Sequence, residues 1–276
     1  MKILITGISG FLGRYLIKKL SKYELVGIDI NDEIIDNVIV HSSERINDID
    51  FNPDFIIMVH AAVASGNYSP TTDILFNVNV QLTKVIIEKF KDAKIIYVST
   101  ASIYKLDGNI ITENSPIKPI SEYAISKLWA ESIVLQTKQA CILRLSSMYG
   151  IGMKENTLIP NYINQAINDR KITIWGDGSR QQNYISVDDV ATYITKIIDN
   201  FVHCTNKILL AVSLHSYSNK DIATIISMMV PTDIIYEQED KSTSIYYNNE
   251  KTTTILNWKP SSNLNEKIAE YIKWKQ

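Results

Sequence analysis

The sequence contains few of the residues that mark disulfide-rich, fibrous or membrane-spanning proteins. Its 276 residues include two cysteines, Cys141 and Cys204, which cannot build a disulfide framework and predict a reducing, cytoplasmic location. Ten glycines and seven prolines are too few for a fibrous or disordered chain. No apolar run approaches the roughly 20 residues that a membrane-spanning helix needs, so we expect no membrane partner.

The chain also lacks an excess of positive charge. Its 28 Lys and Arg residues are balanced by 30 Asp and Glu residues, giving a formal net charge of −2. A nucleic-acid-binding protein usually carries a basic face, so nucleic acid is not an expected partner. With 45% apolar residues the chain can bury a core, and its length fits one large domain or two lobes.

Apolar runs and helical patterns alternate along the first half of the chain. The patterns predict strands at 2–6, 24–29, 54–62, 94–99 and 140–145, and helices at 11–22, 73–91 and 121–138. Strands made almost wholly of Ile, Val and Leu are buried on both faces, and their alternation with helices is typical of right-handed crossovers. The sequence therefore predicts an α/β fold with a doubly wound parallel sheet of the Rossmann type.

The alternation loosens after Gly150. Helical patterns continue at 159–168, 187–200 and 219–229, with short strand-like runs at 172–175 and 208–212. We therefore predict a dinucleotide-binding domain over residues 1–150 and a smaller substrate-binding lobe over residues 151–276. Some of the later segments are expected to return to the main sheet.

A glycine-rich motif, TGISGFLG, begins at the last residue of the first predicted strand. Gly7 permits a tight turn, Gly10 lets the backbone approach a pyrophosphate, and Gly13 lets the following helix lie close to the strand. Phe11 and Leu12 begin that helix, whose N-terminus attracts phosphate. The motif and its position predict a dinucleotide site.

The second predicted strand ends in Asp29. A carboxylate at this position can accept hydrogen bonds from the ribose hydroxyls of an adenosine and would repel a 2′-phosphate. The next residues, Ile30, Asn31 and Asp32, offer no arginine for such a phosphate. The sequence therefore favours NAD as the cofactor, with NADP not excluded.

A Tyr-x-x-x-Lys pair, Tyr123 and Lys127, lies on the helix that follows a strand ending in Thr100. The spacing puts the phenol and the ammonium on one helix face, where the cation is expected to lower the pKa of the tyrosine. Thr100 can hold a substrate oxygen at the ligand-binding edge of the sheet. Three further pairs lack this context and are assigned to the surface: Tyr15/Lys19, Tyr247/Lys251 and Tyr271/Lys275.

Eight motifs in order along residues 1–190 resemble the extended short-chain dehydrogenases/reductases, in particular the NAD-dependent epimerase/dehydratase group that acts on nucleotide sugars. The motifs are TGISGFLG (6–13), Asp29, VHAA (59–62), Asn79 in FNVNV, STASIY (99–104), YAISK (123–127), RLSSMYG (144–150) and GDGSRQQNYISVDDV (176–190).

This resemblance implies a role for each catalytic candidate. Tyr123 would be the general base and acid, Lys127 would bind the nicotinamide ribose while tuning the tyrosine, and Thr100 would hydrogen-bond the reacting sugar oxygen. In relatives the helix that carries Tyr123 pairs in a dimer, so a homodimer is implied.

The resemblance also implies a role for the VHAA motif. His60, Ala61 and Ala62 would line the cofactor loop. No second ligand lies at useful spacing from His60, so we expect no metal. Asn79 would be a structural residue that braces the sheet.

Two departures from the family pattern bear on the substrate. Many relatives hold the nucleotide diphosphate with an arginine two residues before an aromatic that corresponds here to Tyr184, but this chain has Gln182 at that position and Arg180 earlier. Glutamine cannot supply charge-assisted hydrogen bonds, so either Arg180 reaches the phosphates from a shifted loop or the diphosphate is held differently. The acid/base pair that 4,6-dehydratases place after the threonine is replaced by Ala101 and Ser102.

Two reactions therefore remain as predictions. An epimerase would oxidise a sugar carbon, with C4 expected, and reduce it again on the other face. A reductase would act on a nucleotide-linked 4-keto-6-deoxy sugar. The NAD preference favours the epimerase, and the short second half fits a compact reductase. A dehydratase lacks its acid/base pair, and a non-catalytic nucleotide sensor would not need Thr100, Tyr123 and Lys127 together.

Overall fold

The computed structural model describes residues 1–64 and 68–276. The strands are β1 (Lys2–Thr6), β2 (Glu24–Asp29), β3 (Glu33–Ile35), β4 (Val38–Ser42), β5 (Phe55–Met58), β6 (Lys94–Thr100), β7 (Ile110–Ile111), β8 (Ala140–Leu145), β9 (Ser147–Tyr149), β10 (Lys171–Trp175), β11 (Gln181–Ser186), β12 (Lys207–Ala211), β13 (Ser216–Ser218), β14 (Asp233–Glu237) and β15 (Tyr246–Tyr247). The α-helices are α1 (Phe11–Lys19), α2 (Thr72–Leu75), α3 (Leu82–Lys89), α4 (Glu122–Val134), α5 (Leu158–Asp169), α6 (Val187–Asp199), α7 (Phe201–Cys204), α8 (Asn219–Met229), α9 (Glu250–Leu256) and α10 (Leu264–Lys275).

An eight-stranded sheet forms the centre of the fold, in the order β12-β8-β6-β5-β1-β2-β4-β3. Neighbouring strands are parallel except for β3, which pairs antiparallel with β4. The strand order reverses on either side of β1, which is where doubly wound sheets bind ligands. The predicted α/β class is confirmed.

The hairpin β3–β4, which was not predicted from the sequence, forms one edge of this sheet. The turn of the hairpin is Asp36-Asn37, with φ angles of 48° and 66°, a conformation that Asp and Asn tolerate. One face of β4 is exposed to solvent, so it lacks the continuous apolar run of the central strands. The additional parallel strand is β4, which pairs with β2. The strand predicted at 54–62 is shorter than expected and covers Phe55–Met58.

The helix predicted at 73–91 is interrupted. A π-helical segment, Phe76–Gln81, separates α2 from α3 and buries Asn79 and Val80. Such wide turns occur frequently at functional sites. Here it directs an amide side chain into the interior at the edge of the candidate site.

Residues after Gly150 contribute to three hydrophobic cores, and Leu210 lies in one of them. Leu209 of β12 and Ile194 of α6 lie in the core against one face of the main sheet. Ile163, Ile226 and Ile268 lie in a second core beneath β10. A division of the chain at residue 150 stays a prediction. Within the described residues, no helix has the length and apolar character needed to cross a bilayer.

Candidate active site

The glycine-rich loop packs tightly between β1 and β5. Gly7 has a φ of +72°, and a Cβ there would lie 2.7 Å from the backbone nitrogen of His60. A Cβ on Gly13 would overlap the backbone of Ile8. Gly10 precedes α1, which begins at Phe11. Side chains therefore do not fit at Gly7 and Gly13, and α1 begins directly after Gly10, an arrangement that suits a phosphate at a helix N-terminus.

Asp29 is oriented by the same loop. One carboxylate oxygen accepts a hydrogen bond from the backbone N–H of Ser9 at 2.9 Å, and the other accepts from the N–H of Ile30, also at 2.9 Å. Each oxygen keeps further acceptor capacity. The carboxylate thus stands at the end of β2, where an adenosine ribose is expected.

His60 is a buried, neutral residue beneath this loop. Its Nε2 lies 3.1 Å from the hydroxyl of Thr83, which itself donates to the carbonyl of Asn79. Thr83 must therefore accept from Nε2–H, and Nδ1 accepts from the hydroxyl of Thr6. Burial, together with the charge of Lys127, lowers the pKa of His60 to about 3.

This burial predicts acid sensitivity. The unfolded chain binds a proton at His60 below its ordinary pKa of 6.5, whereas the folded protein does so only near pH 3. Stability should therefore fall by about 1.4 kcal/mol per pH unit as the pH drops through this window. Urea titrations at several pH values measure how the free energy of unfolding depends on pH. The variant His60→Gln should lose the part of this dependence that His60 causes, whereas His203→Gln, at an exposed site, should keep it. Equal slopes for wild type and His60→Gln would contradict the assignment.

Asn79 connects the loop after β5 to the helix that carries Tyr123. Its side-chain oxygen accepts from the N–H of Ala62 at 2.8 Å, and its amide donates to the carbonyl of Ala62 and to the hydroxyl of Ser126. Asn79 therefore braces this loop against α4. Ala62 is half-buried and Ala61 is exposed, next to His60.

Thr100, Tyr123 and Lys127 lie at one edge of the main sheet. Thr100 is the last residue of β6, and α4 packs against β6 and against the short 3-10 turn Ala101–Ile103 that follows it. The hydroxyl of Ser121 caps α4 by accepting from the N–H of Ala124 at 3.2 Å. The three residues that the sequence analysis selected are thus held on adjoining elements.

Lys127 is buried without a hydrogen-bond partner. It is 1% exposed, and its Nζ lies 4.1 Å from the centre of the Tyr97 ring. Among the described residues no acceptor bonds this Nζ, and burial lowers the pKa of Lys127 to about 7. A buried donor without a partner is costly, so the site fits a ligand that brings an acceptor, such as a ribose hydroxyl.

Tyr123 differs from the expectation based on its lysine. Burial raises the pKa of Tyr123 to about 12. Desolvation of the phenol causes this rise, and the lowering that Lys127 was expected to produce is not found. At neutral pH Tyr123 is therefore a protonated phenol.

A buried ion pair that the sequence analysis missed lies one helical turn behind Lys127. Arg144 of β8 binds both carboxylate oxygens of Glu131, at 3.0 and 2.6 Å, and each side chain is 2% exposed. The Arg144 guanidinium also lies 4.8 Å from the Tyr104 ring centre. The only signal in the sequence is the four-residue spacing of Lys127 and Glu131, which is common on surface helices.

The hydroxyl of Thr100 lies 2.7 Å from that of Ser102. Ala101, the other residue at the position of the dehydratase acid/base pair, is buried and has no polar side chain. Neither residue supplies a carboxyl group.

Arg180 and Gln182, the two residues considered for holding a diphosphate, lie at the start of β11. Arg180 approaches Asp240 at 3.8 Å, and its Nε has no hydrogen-bond partner within the described residues. The Gln182 amide donates to the side chain of Asn219 at 3.0 Å. Asp240 was not singled out from the sequence because it belongs to an ordinary acidic run.

No three His, Cys, Asp or Glu side chains among the described residues are grouped so that they could hold a metal ion.

Comparison with known proteins finds one matching family model and several similar proteins. Residues 3–209 match the model of the "NAD dependent epimerase/dehydratase family". A putative UDP-glucose 4-epimerase of Methanocaldococcus jannaschii is 25% identical, covering 99% of this chain and 97% of the relative. A GDP-6-deoxy-D-talose 4-dehydrogenase of Aggregatibacter actinomycetemcomitans is 28% identical, covering 73% and 71%. The solved structure of UDP-glucuronic acid 4-epimerase from Bacillus cereus with NAD has a TM-score of 0.84 at 21% identity, covering 100% and 99%.

Proposed function

This chain belongs to the NAD-dependent epimerase/dehydratase family, and on that premise we propose that it is a nucleotide-sugar epimerase that transiently oxidises the sugar at C4. The observation that carries the proposal is the position of Thr100, Tyr123 and Lys127 on adjoining elements at one edge of the sheet. The glycine-rich loop lies at the end of β1, within the same sheet.

The dinucleotide would be held along this edge. The loop from Gly7 to Gly13, with Phe11 and Leu12 at the start of α1, would receive the pyrophosphate. Asp29 would accept hydrogen bonds from the adenosine ribose. Ala61 and Ala62, beside His60, would line the middle of the cofactor. NAD, when bound, supplies a hydride acceptor and a positively charged ring.

Tyr123 would move the proton of the sugar hydroxyl. As a protonated phenol it can give a proton to the substrate oxygen during reduction. For oxidation it must act as phenolate, which nearby positive charge favours, so Lys127 would stabilise that form while donating to the nicotinamide ribose. Thr100 would hydrogen-bond the reacting oxygen and fix its distance from Tyr123.

The substrate lobe would bind the diphosphate through Arg180 and Gln182. The pairing of Arg180 with Asp240 is long, at 3.8 Å, and a diphosphate could replace it with shorter, charge-assisted hydrogen bonds. Gln182 would contribute a neutral donor after leaving Asn219.

A reductase of a nucleotide-linked 4-keto-6-deoxy sugar is the second candidate. The raised pKa of Tyr123 favours it, because the protonated phenol is the acid that ketone reduction needs. The similarity to a GDP-6-deoxy-D-talose 4-dehydrogenase also supports it. A dehydratase is disfavoured because Ala101 and Ser102 provide no carboxyl group.

Incubation with dTDP-, UDP-, GDP- and CDP-sugars, with and without NADH, separates the two candidates. An epimerase forms product with no net change in NADH absorbance. Stoichiometric loss of NADH with a 4-keto substrate would instead identify a reductase and contradict the epimerase proposal.

The protein is also proposed to form a homodimer through α2, α3 and α4. The ring centres of Phe76 and Trp129 lie 5.3 Å apart on this face, and Ile125 and Trp129 are 50% and 53% exposed. Contiguous exposed apolar surface favours association. In sedimentation experiments Trp129→Glu should shift the protein to monomer, whereas Trp274→Glu, at a tryptophan that is 51% exposed elsewhere, should not. A monomeric wild type would contradict this proposal.

A further inference from the structure

A second carboxylate approaches the glycine-rich loop beside Asp29. The hydroxyl of Ser9 donates a hydrogen bond to Glu33, and the backbone N–H of Ser9 donates to Asp29. Two carboxylates therefore converge on one residue of the loop that would receive the pyrophosphate. Glu33 begins β3, the edge strand that sequence reasoning did not detect.

We infer that Glu33 is a specificity-determining residue that disfavours a phosphate on the 2′ oxygen of the adenosine ribose, so that the site selects NAD over NADP. The inference rests on the proposed binding of the dinucleotide along this loop with its ribose at Asp29. A 2′-phosphate carries nearly two negative charges at neutral pH, and it would lie beside both carboxylates.

The charged side chains around Ser9 give this part of the glycine-rich loop a negative charge. In the described parts of the chain neither Asp29 nor Glu33 forms a salt bridge, whereas Asp32 is paired with Arg45 at 3.2 Å. A positive charge also lies at this loop, because Arg14 donates through Nε to the Ser9 carbonyl at 3.0 Å. Arg14 can offset one of the two carboxylates. Glu33 therefore supplies the negative charge that disfavours a 2′-phosphate beside Ser9.

The hydrogen bond to Ser9 explains how an exposed side chain can act in this way. Glu33 is on the solvent side of the hairpin, where a free glutamate would sample many rotamers. The Ser9 hydroxyl holds its carboxylate at the loop. The antiparallel pairing of Glu33 with Val40 fixes the backbone from which it extends.

Calorimetric titration of the purified protein with NAD⁺ and with NADP⁺ tests the inference without a sugar substrate. For Glu33→Gln the Kd for NADP⁺ should fall by about three- to tenfold, the size expected for removing one charge from beside a dianion in water. The Kd for NAD⁺ should change by less than about twofold. The gain should shrink in concentrated salt, where exposed charges are screened.

Two further variants separate charge from other effects. Glu24→Gln changes the net charge by the same amount, but Glu24 lies at the other end of β2, about 17 Å from Asp29 by strand rise. This variant should leave both Kd values unchanged. Ser9→Ala keeps the Glu33 charge but releases it from the loop, so the Kd for NADP⁺ should fall in the same direction as in Glu33→Gln and by no more.

Two results would overturn the inference. They are an unchanged ratio of the Kd values for NADP⁺ and NAD⁺ in Glu33→Gln, or a shift in Glu24→Gln equal to that in Glu33→Gln. A wild type that binds neither dinucleotide would overturn the proposed function as well, so the two failures are distinguishable.

Discussion

Replacement of Tyr123 with phenylalanine is expected to lower turnover by about a hundredfold or more. The variant removes only the hydroxyl, and general acid–base catalysis typically contributes about 10²- to 10⁴-fold. The ring and its packing remain, so the variant should still fold and keep the glycine-rich loop in place. Turnover of the sugar nucleotide that proves to be the substrate is the measurement, with NAD⁺ affinity measured in parallel.

The matched control for this variant is Tyr271→Phe. Tyr271 has the same Tyr-x-x-x-Lys pattern, but it lies on α10, and its hydroxyl donates to the carboxylate of Glu155. Its loss should leave turnover within a few-fold of wild type. NAD⁺ binding by Tyr123→Phe should weaken by no more than about tenfold, the value of one hydrogen bond. Near-normal turnover in Tyr123→Phe would refute its role.

Breaking the Glu131–Arg144 pair is expected to cause the largest loss of stability. Arg144→Met leaves the Glu131 carboxylate charged in a site where both side chains are 2% exposed. Removal of one partner from such a pair costs about 3–5 kcal/mol, because the remaining charge is buried without compensation. Chemical denaturation at neutral pH measures this loss directly.

The double variant Glu131→Leu/Arg144→Met tests the reason for that loss. With both charges gone, no buried ion remains, so the double variant should regain a large part of the stability that Arg144→Met loses. The account would be contradicted if the double variant lost as much stability as Glu131→Leu and Arg144→Met lose together. A loss below about 1 kcal/mol in Arg144→Met would also contradict it. An exposed pair gives the comparison: Lys84→Met, which breaks the pairing with Glu88, should cost under about 1 kcal/mol.

Local chemistry made much of the fold and site predictable from the sequence. The strands Glu24–Asp29 and Ala140–Leu145 and the helix Asn219–Met229 have the predicted bounds, because a continuous apolar run or an amphipathic period marks each of them. The glycine-rich loop and Asp29 follow from short spacing around one strand. Thr100 and Tyr123 were found because Thr100 ends a strand and Tyr123 lies on the helix that follows that strand.

The features that escaped prediction depend on residues distant in sequence. The short edge hairpin has too few buried positions to give a clear pattern. The π-helical turn at Phe76–Gln81 is associated with Asn79, whose partner Ala62 is 17 residues away. The raised pKa of Tyr123 depends on burial, which no spacing rule reports. Glu33 became visible as a candidate only when the hairpin brought it to Ser9.

The most direct measurement of the proposed reaction uses UDP-glucose carrying deuterium at C4. If the protein transiently oxidises this carbon and returns the same hydrogen to its other face, NMR should show the C4 epimer with the deuterium retained. Tyr123→Phe should form this product at least about a hundredfold more slowly. Epimer that has exchanged its deuterium for solvent hydrogen, or absence of the C4 epimer from UDP-glucose and from the other nucleotide sugars labelled in the same way, would contradict epimerisation by oxidation at C4.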